Sequence, residues 1–332
     1  MKIQFVEPPA ALRIGGLDGA IRSLERALQQ LGNEVVGNEA FQKADIVHFH
    51  GLWQPSHSTL SKRLAAEGIP FVVSPHGMLE PWAWRHKWWK KWPYFFLRER
   101  AHLQRSRSLL ATAPMEEHRL QTMLPRCRVT TLPLGFTGDA QPNYEAARAE
   151  LGWAPEETVL LFLSRVHEKK GLDLLLHALA NSNPPPSTRL AIVGGGDPAY
   201  VASLKTLAAT LRLPRVDWLG EIWGEARWKY FQGADLFCLP SHSENFGLAV
   251  LEAFQIGTPA LTTTTTPWAE AGAERVFLAE PTISSVTQVL GNFFAVGRKT
   301  SAERDAIAAW AEANYAWASI APRYAAFYRE LI

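Results

Sequence analysis

Two carboxylates, Glu244 and Glu252, bracket the stretch Glu244-Asn-Phe-Gly-Leu-Ala-Val-Leu-Glu252, which follows the apolar run Asp235–Leu239 and has the pattern of a helix. Eight residues make about 2.2 helical turns, so a continuous helix would turn both carboxylates to one side. There they can accept hydrogen bonds from the hydroxyls of a sugar or a ribose. Gly247, near the start of that helix, would let unpaired backbone N–H groups approach a diphosphate. The same spacing also suits an acidic first-turn residue followed by a solvated helix charge. Spacing alone does not choose between the two.

Other residues with chemical potential sit just after apolar runs. His76 follows the run Pro70–Ser74 and precedes Gly77, a place that suits a packed imidazole or an active-site one. His48 and His50 lie two apart on a strand-like run and therefore share a face. Only His57 is near enough in sequence to add a third metal ligand, so the preferred reading is a core or cleft imidazole with a polar contact. The turn Arg13-Ile-Gly-Gly-Leu-Asp-Gly19 precedes a helical pattern, and its glycines, Gly16 centrally, allow close backbone approach to a phosphate or sugar. Gly194-Gly-Gly-Asp-Pro-Ala199 fits G-x-G-x-x-A, with Asp217 at 21 residues beyond Gly196, and so mimics a dinucleotide fingerprint. That fingerprint belongs on a domain's first βα turn, and here the run Thr158–Leu163 comes earlier, so NAD is not expected.

The elements that must position these groups alternate along the chain. Apolar runs at Lys2–Val6, Asp45–His50, Pro70–Ser74, Ser108–Thr112 and Arg128–Leu132 are separated by segments of helical period such as Ala20–Leu31. Turn-forming residues from Gly138 to Asn143 interrupt the series. It restarts with strand-like Thr158–Leu163, Leu190–Val193, Val216–Leu219, Asp235–Leu239 and Pro259–Thr262, with helix-like Leu172–Leu179, Tyr200–Leu211 and Gly247–Ile256 between them. Continuous apolar strands separated by helices imply parallel sheets covered on both faces, here as two doubly wound domains or one large sheet. In such sheets ligands lie beyond the carboxyl ends of strands, where the glycines, His50, His76, Arg165 and Ser241–Glu244 fall. The tail from Ser301 to Ile332 reads as helical and aromatic.

With 332 residues, 47% hydrophobic and 20% charged, the chain is of ordinary globular composition. No apolar run approaches the roughly 20 residues needed to span a bilayer, and the N-terminus lacks a secretory pattern. Cys127 and Cys238 have no metal-ligand spacing, and Cys238 reads as a buried core thiol, so the expected compartment is the cytoplasm. The net charge is +2, yet the segment from Arg85 to Arg107 holds eight Lys/Arg against Glu99 alone. A local anionic contact fits that confinement better than nucleic acid, whose binders carry a domain-wide basic balance.

Pro240-Ser-His-Ser-Glu-Asn-Phe-Gly-Leu-Ala-Val-Leu-Glu252 resembles the E-x7-E signature of glycosyltransferase family 4 (glycosyl transferases group 1), retaining enzymes of the GT-B fold. LFLSRVHEKKGLDLLLHAL resembles the family's Arg…Lys-Gly segment, LAIVGGGDPAY, VDWLGEI and ADLFCLPS its successive strands, and DIVHFHG and SPHG its N-terminal part. The resemblance implies two facing Rossmann-like domains with a cleft between them. The first would span 1–139, with a last helix at about 313–332 packing back onto it, and the second, donor-binding one 140–312. It implies transfer of a hexose from a nucleotide-sugar to a glycan or lipid-linked acceptor of the bacterial envelope, as in exopolysaccharide or lipopolysaccharide synthesis. His76 falls at the family's active-site histidine and Glu244 at the carboxylate on the transferred sugar. Donor binding falls to Gly16, Arg165, Lys170, Ile222, Asn245, Phe246, Gly247, Leu248 and Glu252, the last on the ribose. Arg165 and Lys170 would neutralise the diphosphate leaving group, so that no metal or other cofactor is expected. A phosphate oxygen of the leaving group would take the acceptor's proton.

Three features depart from the family pattern. The first domain is short between Val36 and Asp45, Leu134-Gly135 stands where Asn-Gly is usual, and Thr262–Trp268 replaces a glycine pair. On the acceptor side the resemblance and position single out His50, Trp53 and Trp82. Pro81-Trp-Ala-Trp-Arg-His-Lys-Trp-Trp-Lys-Lys-Trp92 interleaves five tryptophans with four Lys/Arg. Indoles favour the bilayer interface and basic side chains favour anionic headgroups, so Trp82–Arg107 is a candidate for peripheral docking on the inner face of the cell membrane. Packing of the tryptophans inside the first domain, or lining of an acceptor cleft, competes with it. Two rival functions share these residues: a nucleotide-sugar epimerase or phosphorylase on the same fold, and a non-catalytic membrane- or glycan-binding module.

Overall fold

A computed structural model of the protein describes residues 1–9, 15–37, 43–85, 88–138, 143–213 and 215–332. The chain divides into two compact units, Met1–Thr137 with Asn314–Ile332, and Gly138–Ala313. The boundary expected at 139/140 falls outside the described residues.

The first unit is built on strands β1 (Lys2–Val6), β2 (Glu34–Val36), β3 (Ile46–His50), β4 (Phe71–Ser74), β5 (Ser108–Ala111) and β6 (Val129–Thr131). They form one parallel sheet in the order β2-β1-β3-β4-β5-β6. Alternation along each strand divides the core between two faces. Ile3, Phe5, Ile46 and Val72 pack with Ile21, Leu24 and Leu28 of the helix Gly15–Gln30 and with Trp317, Ile320, Tyr324 and Tyr328 of the last helix. Val47, Phe49, Phe71, Val73 and Leu109 pack on the other side with Leu64, Leu103 and Leu120. The last helix, Trp317–Leu331, is held by polar bonds as well. The Trp317 indole donates to Ser23 Oγ at 2.8 Å and the Tyr324 hydroxyl to the Leu132 carbonyl at 3.0 Å.

The tail is two helices, and the last begins at Trp317 rather than at about 313. Ala316, with an extended backbone (φ −63°, ψ 141°), separates Ser301–Tyr315 from Trp317–Leu331. The glycine of the Leu134-Gly135 turn is required by packing, because a Cβ there would lie 2.7 Å from the Tyr315 carbonyl and 2.9 Å from the Trp317 ring. That close approach lets Phe136 bridge to Ala316.

The second unit carries β7 (Thr158–Leu163), β8 (Thr188–Val193), β9 (Val216–Gly220), β10 (Leu236–Cys238), β11 (Ala260–Thr263) and β12 (Val276–Ala279), again all parallel, in the order β12-β11-β10-β7-β8-β9. Strands β7, β10 and β11 are buried almost throughout, the pattern of a sheet covered on both faces. Cys238 is fully buried, as its apolar run predicts. Strand order reverses between β1 and β3 in the first sheet and between β7 and β10 in the second. Ligands of doubly wound sheets bind beyond the carboxyl ends of strands at such reversals.

Candidate functional site

At the second reversal, β7 runs into Arg165 and a short 3-10 turn, Glu168–Lys170, closed by Gly171 in the left-handed region at φ 68°. A Cβ on Gly171 would lie 2.1 Å from the Pro240 carbonyl, so only glycine lets this turn settle against the end of β10. The Lys169 carbonyl accepts from the His242 N–H at 2.8 Å. As a result the Lys170 ammonium reaches Glu244, donating to Oε1 at 2.6 Å, and the Ser241 hydroxyl donates to the same oxygen at 2.7 Å. Burial works against the Glu244 charge, but Lys170 by charge and hydrogen bond, with Ser241 and Lys169, outweighs it and holds the carboxyl below its ordinary range. Arg165 is exposed at the end of β7.

Glu244 is not on a helix, contrary to the expectation of two carboxylates on one helical face. The helix begins at Leu248 and ends at Gln255, and Gly247 before it is left-handed at φ 77°. A Cβ on Gly247 would lie 3.0 Å from the Trp268 indole nitrogen. This turn separates the two acids and gives them different partners. Glu252, inside the helix, accepts from Arg227 at 2.7 Å. Burial raises the Glu252 carboxyl above its ordinary range, with Arg227 opposing. Asn245, Phe246 and Leu248 surround Gly247 at the helix start, which no side chain caps. Ile222, half-buried, follows β9. The threonine run has a plain role here: the Thr263 and Thr265 hydroxyls both donate to the Ser241 carbonyl, at 2.5 and 3.0 Å, bracing the loop that carries Glu244.

The apparent dinucleotide fingerprint is a packing feature. Cβ atoms on Gly194 and Gly196 would lie 1.9 and 2.0 Å from the Ser164 and Val166 carbonyls, so these glycines let the ends of β7 and β8 touch. Asp197 caps the next helix by accepting from the Tyr200 N–H at 3.0 Å, and Asp217 pairs with Arg189.

In the first unit the reversal brings histidines together. His76 and Gly77 are both left-handed, at φ 50° and 72°, after β4. His50 Nδ1 lies 3.0 Å from His76 Nε2, with the rings stacked at 5.3 Å. His48 sits between the Tyr328 hydroxyl (2.8 Å) and Ser74 Oγ (2.7 Å), its ring 3.9 Å from that of His50. Burial lowers the imidazole of His76 to about 4, and with neighbouring histidines it lowers those of His48 and His50 well below the usual value, so all three are neutral at pH 7. His48 makes the polar contacts expected of a core or cleft imidazole, and His57 packs with Phe49 and His102. Among the described residues no three His, Cys, Asp or Glu side chains gather where a metal could be held.

Glu116, unsuspected from sequence, fixes the turn after β4. It accepts from the Gly77 N–H at 2.8 Å and from the Thr112 N–H and hydroxyl. Gly16 is exposed in the first turn of the helix after β1, while 10–14 lie outside the described residues. Sequence reasoning also missed Arg227, Ser74 and Tyr328, none of which carried a local signal, whereas Ser241 lies in the strand-end segment Ser241–Glu244 already singled out.

The segment after Gly77 forms the helices Pro81–Arg85 and Trp88–Tyr94, followed by a π turn over Phe95–Glu99. Trp82 and Trp84 are half-buried, whereas Trp88 and Trp89 are each 57% exposed, Trp92 50% and Leu97 79%. Packing of all five tryptophans inside the domain is therefore ruled out. No described helix is long and apolar enough to cross a membrane.

Two family models match the chain, "Glycosyltransferase Family 4" over residues 6–137 and "Glycosyl transferases group 1" over residues 143–288. A D-inositol 3-phosphate glycosyltransferase of Segniliparus rotundus is 38% identical over 121 residues, which are 35% of this chain and 27% of that protein. The match thus spans about a quarter of the relative's length. Among solved structures, a sucrose-phosphate synthase of Thermosynechococcus elongatus is similar with a TM-score of 0.81 and 19% identity, covering 99% of this chain and 98% of that one. A protein of Anabaena, HepE, solved with UDP and glucose, is similar with a TM-score of 0.77 and 18% identity over the whole of both chains.

Proposed function

The chain belongs to glycosyltransferase family 4, glycosyl transferases group 1, with the two-unit α/β architecture of GT-B enzymes, and we propose that it is a retaining, metal-independent glycosyltransferase using a nucleotide-sugar donor. The observation that supports this most is the Lys170–Glu244–Ser241 cluster at the strand-order reversal of the second sheet. A buried carboxylate that accepts two hydrogen bonds on one oxygen keeps the other for a hydroxyl of the transferred sugar. Lys170 then stands within reach of the departing diphosphate, and exposed Arg165 adds a second cation. Together they stabilise the charge that develops as the glycosidic bond breaks, the part a divalent ion plays in other transferases. The helix start at Leu248 presents N–H groups to the same phosphates. Glu252, fixed by Arg227, takes the ribose hydroxyls. A phosphate oxygen of the leaving group accepts the acceptor's proton, so no carboxylate pair is required.

The first unit supplies the acceptor side through His50, His76, Trp53 and Trp82, with His76 neutral and able to donate or accept one hydrogen bond. The acceptor is a glycan or lipid-linked molecule. The stripe Trp88, Trp92 and Phe96, spaced at four residues beside Lys90 and Arg98, suits peripheral docking on an anionic bilayer. A thermal-shift panel of UDP, GDP, ADP, CMP and dTDP tests the donor reading. One nucleotide should stabilise the protein by about 2.7 kcal/mol at 100 times its dissociation constant. Silence toward all five would overturn the reading.

A further inference from the structure

Three tryptophans follow one another from β9 onward, and two of their rings are covered. Lys205 lies over the ring of Trp218 at 5.7 Å and Arg227 over that of Trp228 at 5.1 Å. Trp223 is 69% exposed, and no ring or cation lies on its faces among the described residues. Its loop is nevertheless fixed. Gly220 and Gly224, left-handed at φ 71° and 64°, bracket Glu221–Trp223, and a Cβ on either would meet nothing within 4 Å, so both serve the turn of the backbone and not packing. The Gly194 N–H donates to the Gly220 carbonyl at 2.7 Å. Glu221 lies over Gly195, where any Cβ would collide with its carboxylate, and it accepts from the Trp223 indole N–H at 3.4 Å. The 3-10 turn Gly224–Arg227 then leads to Arg227, whose guanidinium reaches Glu252 at 2.7 Å. Although β9 is the edge strand, the loop after it thus returns past the end of β8 to the helix after β10.

We propose that the exposed indole of Trp223 is the face on which the base of the donor nucleotide stacks. The inference rests on the nucleotide-sugar reading and adds a residue to it, since the contacts to diphosphate and ribose leave the base without a partner. A single exposed apolar side chain needs no ligand to explain it. What assigns this one is a braced loop that joins it to the carboxylate taking the ribose. A 3-10 turn rises roughly 2 Å per residue, so Trp223 stands about 8 Å along the chain from Arg227. That is the scale of a nucleoside from its ribose hydroxyls to the far edge of its base. The Glu221 carboxylate holds the indole by its N–H edge and leaves its faces free, and every base has a π face to lay on them.

The test is isothermal titration of the full chain, and of its Trp223→Leu and Trp223→Phe variants, with UDP, GDP, ADP, CMP and dTDP. For the nucleotide that the wild type binds best, the dissociation constant should rise about tenfold in Trp223→Leu, which keeps an apolar side chain but has no π face. Trp223→Phe, which keeps an aromatic face, should bind within about threefold of the wild type. Because the side chain is exposed, both variants should unfold at the wild-type temperature. Binding by Trp223→Leu as tight as by the wild type, or by Trp223→Phe as weak as by Trp223→Leu, would overturn the stacking role. A wild-type chain that takes none of the five nucleotides refutes the nucleotide-sugar reading itself. One that takes a nucleotide without regard to the side chain at this position refutes the stacking alone.

Discussion

Replacing Lys170 with methionine separates what the ammonium does for the resting fold from what it does for the reaction. In the fold, Nζ lies 2.6 Å from Glu244 Oε1, and the two side chains are only 18% and 8% exposed, so solvent screens the pair weakly. A hydrogen bond to a charged group contributes about 1.5–3 kcal/mol, and its loss here leaves a desolvated carboxylate held by Ser241 alone. Lys170→Met should therefore lower the unfolding free energy of the second unit by roughly 2–3 kcal/mol at pH 7. For a unit of this size that is a fall in Tm of roughly 4–12 °C.

The sign with pH follows from Glu244. In the wild type its carboxyl is held below the ordinary range, so its contribution is complete above the unfolded value of about 4.3 and is lost as pH falls through the folded one. Without Lys170, burial is the leading influence and raises the carboxyl, so the variant loses stability as pH rises above about 4.3. The gap between the two proteins should be widest at pH 7 and should close only as pH falls below about 4.3 and through the lowered wild-type Glu244 value. Urea unfolding followed by tryptophan fluorescence measures it. Lys170→Met/Glu244→Gln, with neither charge, should recover most of the stability but not turnover, which loses about 2–4 kcal/mol of transition-state stabilisation. A double variant as unstable as the single one, or a gap indifferent to pH, would refute the coupling.

Three further outcomes are expected. Glu252→Ala should weaken binding of the bare nucleotide, whereas Glu244→Ala should lose mainly turnover; isothermal titration that finds nucleotide affinity unchanged in Glu252→Ala removes the ribose assignment. Activity should persist in EDTA, and an absolute need for Mg²⁺ or Mn²⁺ would refute the metal-independent mechanism. Co-sedimentation with vesicles should rise with anionic lipid, fall with salt, and drop when exposed Lys90 and Arg98 become glutamate, each basic residue contributing about 1 kcal/mol at such a surface. Equal binding to neutral and anionic vesicles, or none to either, removes membrane docking.

The parts of this molecule that were legible in the sequence are those whose cause is local. Strands β3, β7 and β10 read as strands because a sheet buried on both faces demands continuous apolar residues, and their ends read as ligand-facing because glycines and polar groups cluster there. The Lys170-Gly171 pair was legible only through its resemblance to a family. The physical reason for the glycine, a carbonyl 2.1 Å from any Cβ, lies 69 residues away at Pro240. The helical placement of Glu244 failed because spacing counts residues and not dihedral angles: one left-handed glycine at 247 moves the helix start past it. Arg227 and Glu252 were not paired because their elements meet only in the folded unit. The segment from Trp82 to Glu99 was the least legible. Its tryptophans and lysines follow one another without a single apolar face, since its outward face is as aromatic as its inward one. A pattern of burial presupposes one face that water avoids. Where exposed indoles replace that contrast, the sequence no longer distinguishes the face turned to Trp53 and Glu99 from the face turned to solvent. The π turn that makes the distinction comes from packing.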